Sequence, residues 1–162
     1  MTSQVLPPQP LSETLALTAW VRLLRAHASL KRSFNTQLLA EHGLTVNDYE
    51  ALLLLSHEPD RRLKRVVLAD RLQLTPSGVT RLLDGLEAAG FVEKGSCASD
   101  ARVTYAVLNE PGSEKLKQAS CSHVAAVRAL FSERLDDDEL KVLGGLLGRL
   151  PGGNADGADC TV

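Results

Sequence analysis

The chain has 162 residues, enough for one domain or for two small lobes that share a core. Apolar residues make up 44% and charged residues 23%, and the net charge of -2 argues against a nonspecific nucleic-acid coat protein. No stretch approaches the ~20 apolar residues of a membrane span, and the N-terminus lacks the basic segment and apolar run of a secretory signal, so a cytoplasmic location is expected. Cys97, Cys121 and Cys160 are odd in number and lack metal-ligand spacing, which excludes a disulfide scaffold; neither a metal nor a cofactor is expected.

Residues 1–10 hold Pro7, Pro8 and Pro10 and read as a flexible arm. Ser12 can cap a long first helix on which Trp20, Leu23, Leu24, Leu30, Phe34 and Leu38 recur at helical spacing to about residue 40, with Gly43 ending it. Thr45 opens a second helix through a capping box closed by Asp48; Leu52, Leu53 and Leu55 form its inner face and Pro59 stops it. Residues 63–72 read as a third helix with Val67, Leu68 and Leu72 inward, and Gln73-Leu74 as a tight turn.

A fourth helix starts with Thr75 as N-cap and Pro76 at the first helical position, where a missing N–H is harmless. Val79, Leu82, Leu83 and Leu86 form its buried stripe, which leaves Ser77, Gly78, Thr80 and Arg81 outside near its start. After Gly90, residues 91–94 and 103–108 are strand-like, joined by a small polar loop holding Asp100 and Arg102. Pro111 and Gly112 precede a fifth helix, Asp136, Asp137 and Asp138 start a sixth, and residues 151–162 read as a disordered tail.

Charge is distributed unevenly. Arg61, Arg62, Lys64, Arg65, Arg71 and Arg81 crowd one window against Asp70 alone, while acid collects at Asp136, Asp137, Asp138 and Glu139. Short polar side chains on the leading turns of a capped helix, followed by a hairpin with an arginine in its loop, suit reading of DNA by a winged helix-turn-helix. The apolar terminal helices suit a bundle shared with a second subunit. No nucleophile–base spacing, phosphate loop or HExxH-type metal motif points to an enzyme.

Several fragments in order carry a family resemblance. They are Leu68-Ala69-Asp70-Arg71-Leu72, then residues 75–87 (TPSGVTRLLDGLE), then Gly90-Phe91-Val92-Glu93-Lys94, then Asp100-x-Arg102, with Val107, Leu108, Asn109 and Gly112 following at family spacing. Over about residues 11–150 the chain resembles the MarR (multiple-antibiotic-resistance regulator) family. The resemblance implies a mainly α fold with a small β wing: a winged helix-turn-helix over 44–110, and a helical dimerisation bundle from 11–43 and 111–150. It further implies a homodimer on double-stranded DNA at a pseudo-palindromic operator, most often as a repressor released by a small aromatic or phenolic effector. Lys64-Arg65 stand where the family more often has Ser or Thr, Gly78 replaces a commoner Ser or Thr, and Gly85 a commoner Arg.

On this reading Arg81 reaches a guanine edge or a phosphate. Ser77, Gly78 and Thr80 lie at the DNA, and Thr75 caps the helix whose N–H groups face a phosphate. Arg102 enters the minor groove, oriented by Asp100, and Lys64, Arg65 and Lys94 contact phosphates. Trp20, His27, Tyr49 and His57 are candidates for an effector crevice, with core packing and surface imidazoles as the plainer alternative. Two other functions stand beside this one: redox sensing through Cys97 or Cys121, although the reactive cysteine near the start of the first helix is absent, and a winged-helix protein-interaction module that does not read DNA.

Overall fold

The computed structural model describes residues 11–96 and 103–153, with side chains from residue 14 onward. The expected arm at 1–10, the wing loop at 97–102 and most of the expected tail lie outside the described residues. The element order is α1 (Leu11–His42), α2 (Val46–Ser56), β1 (Arg62–Lys64), α3 (Arg65–Arg71), α4 (Pro76–Ala88), β2 (Val92–Ser96), β3 (Thr104–Leu108), α5 (Glu110–Ser132) and α6 (Asp137–Leu147). The chain forms two units, Met1–Ser33 and Phe34–Val162. The described part of the first is the leading stretch of α1, where Leu15, Leu17, Trp20, Val21 and Leu24 are exposed. No described helix is long and apolar enough to cross a membrane.

The second unit is built around α2. Thr45 and Asp48 close the expected capping box: the Asp48 N–H donates to Thr45 Oγ1 (3.1 Å) and the Thr45 N–H to Asp48 Oδ2 (2.8 Å). The helix buries Tyr49, Ala51, Leu52, Leu53 and Leu55. Leu38, Leu52, Leu55, Leu68 and Leu83 are fully enclosed in the core, which brings α1, α2, α3 and α4 together. Burying each such side chain contributes about 1.5–3 kcal/mol relative to leaving it in water.

One expectation is corrected. Residues 63–72 are not a single helix: Arg62–Lys64 is a strand and α3 begins at Arg65. β1 pairs antiparallel with β3, Leu63 opposite Ala106, so the sheet has three strands in the order β1-β3-β2 rather than the two expected. The three-residue alternation of exposed Arg62, buried Leu63 and exposed Lys64 is too short to read as a strand without the partner that completes it. A second correction concerns α5. It starts at Glu110, so Pro111 and Gly112 lie in its first turn rather than before it, because Asn109 caps the helix and a proline is tolerated there.

Asn109 also fastens α5 to the end of α4. Its side chain accepts from the Gly112 N–H (2.9 Å) and donates to the Gly90 carbonyl (2.9 Å), and its own N–H donates to the Phe91 carbonyl (3.3 Å). Gly112 is buried against that same carbonyl, and a methyl group on it would overlap the Phe91 oxygen. Gly112→Ala is therefore expected to lower stability by ~1–3 kcal/mol or more. Urea unfolding checks this: the midpoint should fall with little change in the denaturant slope.

Candidate nucleic-acid interface

The turn between α3 and α4 is closed by Gln73 in the left-handed region (φ 55°), with the Leu74 N–H donating to the Ala69 carbonyl (2.9 Å). Thr75 then caps α4 as expected: its Oγ1 accepts from the Gly78 N–H at 3.1 Å, with Pro76 in the first turn. A side chain at position 78 would press its Cβ to 3.2 Å from that capping oxygen, which suits the glycine found there. Val79, Leu83 and Leu86 anchor the inner face of α4. Ser77, Thr80, Arg81 and Asp84 are exposed on the other side. The Thr80 hydroxyl donates to the Pro76 carbonyl (2.8 Å), and Ser77 Oγ lies 3.2 Å from Thr75 Oγ1.

Arg81 has no ion-pair partner among the described residues. The alternative pairing with Asp84 on its own helix is not made; Asp84 instead faces Lys94 on β2, at 3.6 Å. Lys94 also donates to Glu87 of α4 at 2.9 Å. The Glu87 carboxylate, through that hydrogen bond and its charge, raises the lysine pKa above its ordinary value, with Arg65 opposing. Lys94 is thus held by acids rather than projecting as a free cation. Lys64, exposed, is the N-cap residue of α3 but makes no side-chain cap bond, as its chemistry requires. Arg65 follows it, half-buried, with its Nη2 enclosed and unbonded among the described residues. Asp100, Arg102 and Cys97 lie outside the described residues.

The four effector candidates are not gathered in one place within either unit. Trp20 and His27 are exposed on the first unit. In the second, Tyr49 is buried near the start of α2 and His57 is exposed at its C-cap, eight residues on, or about 12 Å along the axis. Around Tyr49 the structure assembles residues that the sequence reading passed over. His123 of α5 lies 4.8 Å from the Tyr49 ring and edge-on to Phe34 at 5.3 Å, with Nδ1 3.5 Å from Gln37 Oε1. The Tyr49 hydroxyl meets buried Ser120 (3.1 Å), and His42 Nε2 meets Ser122 Oγ (2.6 Å). A signal was present: Leu116, Ala119, Ser120 and His123 share one face of α5, so two polar side chains interrupt its core stripe. Cys121 is an exposed free thiol on the same helix, and among the described residues no His, Cys, Asp and Glu cluster suits a metal.

The capped helix α4, the short turn before it and the hairpin after it define a winged helix-turn-helix. The MarR family profile matches residues 42–103. The HTH-type transcriptional repressor YetL of Bacillus subtilis is 32% identical over 114 residues, covering 68% of each chain. AbsC, a MarR family transcriptional regulator from Streptomyces coelicolor, superposes with a TM-score of 0.74 at 30% identity over 88% of this chain and 93% of its own. Sco3205, from the same family and organism and solved in complex with DNA, gives 0.75 at 30% identity over 87% of each chain. The chain belongs to the MarR family of winged helix-turn-helix transcriptional regulators, a family of regulators rather than enzymes.

Burial of His123 among Phe34 and Tyr49 lowers its pKa below the ordinary histidine value. As pH falls the unfolded chain takes up this proton first, so stability is full above about pH 6.5 and declines toward the folded-state pKa. His123→Gln should reduce the loss of stability between roughly pH 7.5 and pH 5. Urea midpoints of both proteins at the two pH values measure it; parallel pH dependences would show that other groups carry it.

Proposed function

We propose that this regulator is a cytoplasmic homodimer that represses transcription by binding a pseudo-palindromic operator, with the exposed leading face of α4 in the major groove. The observation that carries the reading is Arg81: an exposed guanidinium with no ion-pair partner among the described residues, on a helix whose capped N-terminus also presents Ser77 and Thr80. Arg81 reads a base edge or grips a phosphate, Ser77, Gly78 and Thr80 allow close approach of the helix, and the N–H groups beyond Thr75 face a phosphate. Lys64 and Arg65 at the start of α3 add phosphate contacts. Arg102, oriented by Asp100, enters the adjacent minor groove. The DNA-bound structure of Sco3205 supports this reading by likeness.

Dimerisation is supported by the apolar surface that the single chain leaves open. α6 buries none of its residues, and Val142, Leu146 and Leu150 are exposed, as are Leu15, Trp20 and Leu24 on the leading part of α1. Such faces are normally covered by a partner. Two heads in a two-fold dimer read half-sites about 10 base pairs, or a multiple of that, from centre to centre. Release by a small aromatic or phenolic ligand is supported by the rings and polar groups at the α1–α2–α5 junction: Phe34, Tyr49, Ser120 and His123. Loss of the operator complex on adding phenolic compounds tests that step.

Arg81→Ala should weaken binding to a duplex selected by the wild-type protein from a random pool by roughly 5- to 150-fold, and Arg102→Ala should also weaken it severely. If Arg81 contacts a phosphate alone, the salt slope falls by about 0.9 and all sequences weaken alike; if it reads a base, discrimination at one position is lost. Unchanged affinity for Arg81→Ala would remove α4 from the interface. Separately, Leu146→Glu is expected to shift the sedimenting species from dimer to monomer, and an unshifted dimer would place the subunit contact elsewhere.

A further inference from the structure

The first wing strand carries a charge on the side of the sheet that faces the core. Lys94 pairs with Ala106, which in turn pairs with Leu63, so the three side chains point to one face, together with Val92 and Leu108. Leu63, Ala106, Val92 and Leu108 are all buried on that face. Lys94 lies beyond the edge of this apolar row, and there it meets α4. Its Nζ is 2.9 Å from Glu87 and 3.6 Å from Asp84, one turn apart on the helix proposed to read DNA. Arg65 at the head of α3 is close enough to act electrostatically on the same lysine. One cation of β2 is thus held by two anions of α4.

This arrangement separates two roles that the sequence alone does not. Lys94 starts from the core-facing side of the sheet and, although its side chain is 53% exposed, its Nζ is occupied by the recognition helix itself. Beyond Val92 the remaining inward side chains of β2 are Lys94 and Ser96, so among the described residues the ion pair is the next tie between hairpin and helix. A two-stranded hairpin is weakly ordered by itself, and its direction relative to α4 decides whether wing and helix reach adjacent grooves together. An exposed ion pair adds little to global stability, but it can bias such a direction. We propose that Lys94 is a positioning residue, held by Glu87 and Asp84 of α4, that sets the angle of the wing to the recognition helix and does not contact DNA phosphate. The proposal builds on the DNA-reading function above.

The test measures affinity and salt dependence on a duplex selected by the wild-type protein from a random pool, for Lys94→Gln, Glu87→Gln and the charge-swapped double variant Glu87→Lys/Lys94→Glu. Each single change should weaken binding by about three- to fivefold. The salt slope of Lys94→Gln should fall by less than half of the about 0.9 that loss of one phosphate contact produces. The swap should bind more tightly than either single variant. Hydroxyl-radical footprints should show protection lost at the flanking minor grooves and kept at the central major grooves. A slope decrease of half that value or more, tighter binding by Glu87→Gln, or a swap no better than the singles would each overturn the brace while leaving the DNA function intact. If the wild-type protein selects no duplex, the DNA reading fails first, and this role fails with it.

Discussion

The packing of leucines around α2 holds the candidate DNA-facing side chains of α4 in place. Leu52 and Leu55 are fully enclosed on α2, and Leu38, Leu68 and Leu83 meet them from α1, α3 and α4. Because interiors are close-packed, α4 cannot rotate or slide without opening a void against these residues. Arg81, Ser77 and Thr80 are held outward because Val79, Leu83 and Leu86 are held inward. The sheet closes on the same core through Leu63, Ala106, Val92 and Leu108, so helix and wing take their positions from one set of apolar contacts.

Polar links then set the finer geometry at the edges of that core. Asn109 joins the end of α4, the start of β2 and the first turn of α5, with Gly112 allowing the close approach. Lys94 joins β2 to α4 further out. Tyr49, Ser120, His123 and Gln37 join α2 to α5 and to the last turns of α1. The head is thus a close-packed centre with specific polar ties to the wing and to α5. A ligand or proton that disturbed the α5 contacts would act on α2, and through α2 on α4, the helix proposed to read DNA.

Local chemistry was the most legible part. The Thr45–Asp48 capping box, the Thr75 cap with Pro76 after it, and the glycine stops at Gly43 and Gly90 depend on neighbours within a few residues, and each lies where the sequence pattern puts it. The inner stripe of α4 was legible for the same reason, since helical periodicity alone separates Val79, Leu83 and Leu86 from Arg81. β1 was not legible, because three residues hold no period and Arg62–Lys64 becomes a strand only by pairing with β3, more than forty positions later. His123 escaped because its meaning comes from Phe34 and Tyr49, which two other elements deliver.

The amino-acid sequence by itself determined the order of the helices, the caps at Thr45 and Thr75, the exposed face of α4 and the family, since those follow from short-range spacing and ordered motifs. Tertiary structure decided which charges are free and which are occupied. Arg81 and Lys94 are both basic residues near a candidate DNA surface. One stands unpaired among the described residues, and the other is engaged by Glu87 and Asp84. The physical reason is range. Capping and periodicity act within a turn or two of one helix, whereas an ion pair between helix and strand exists only after the core has brought α4 and β2 together.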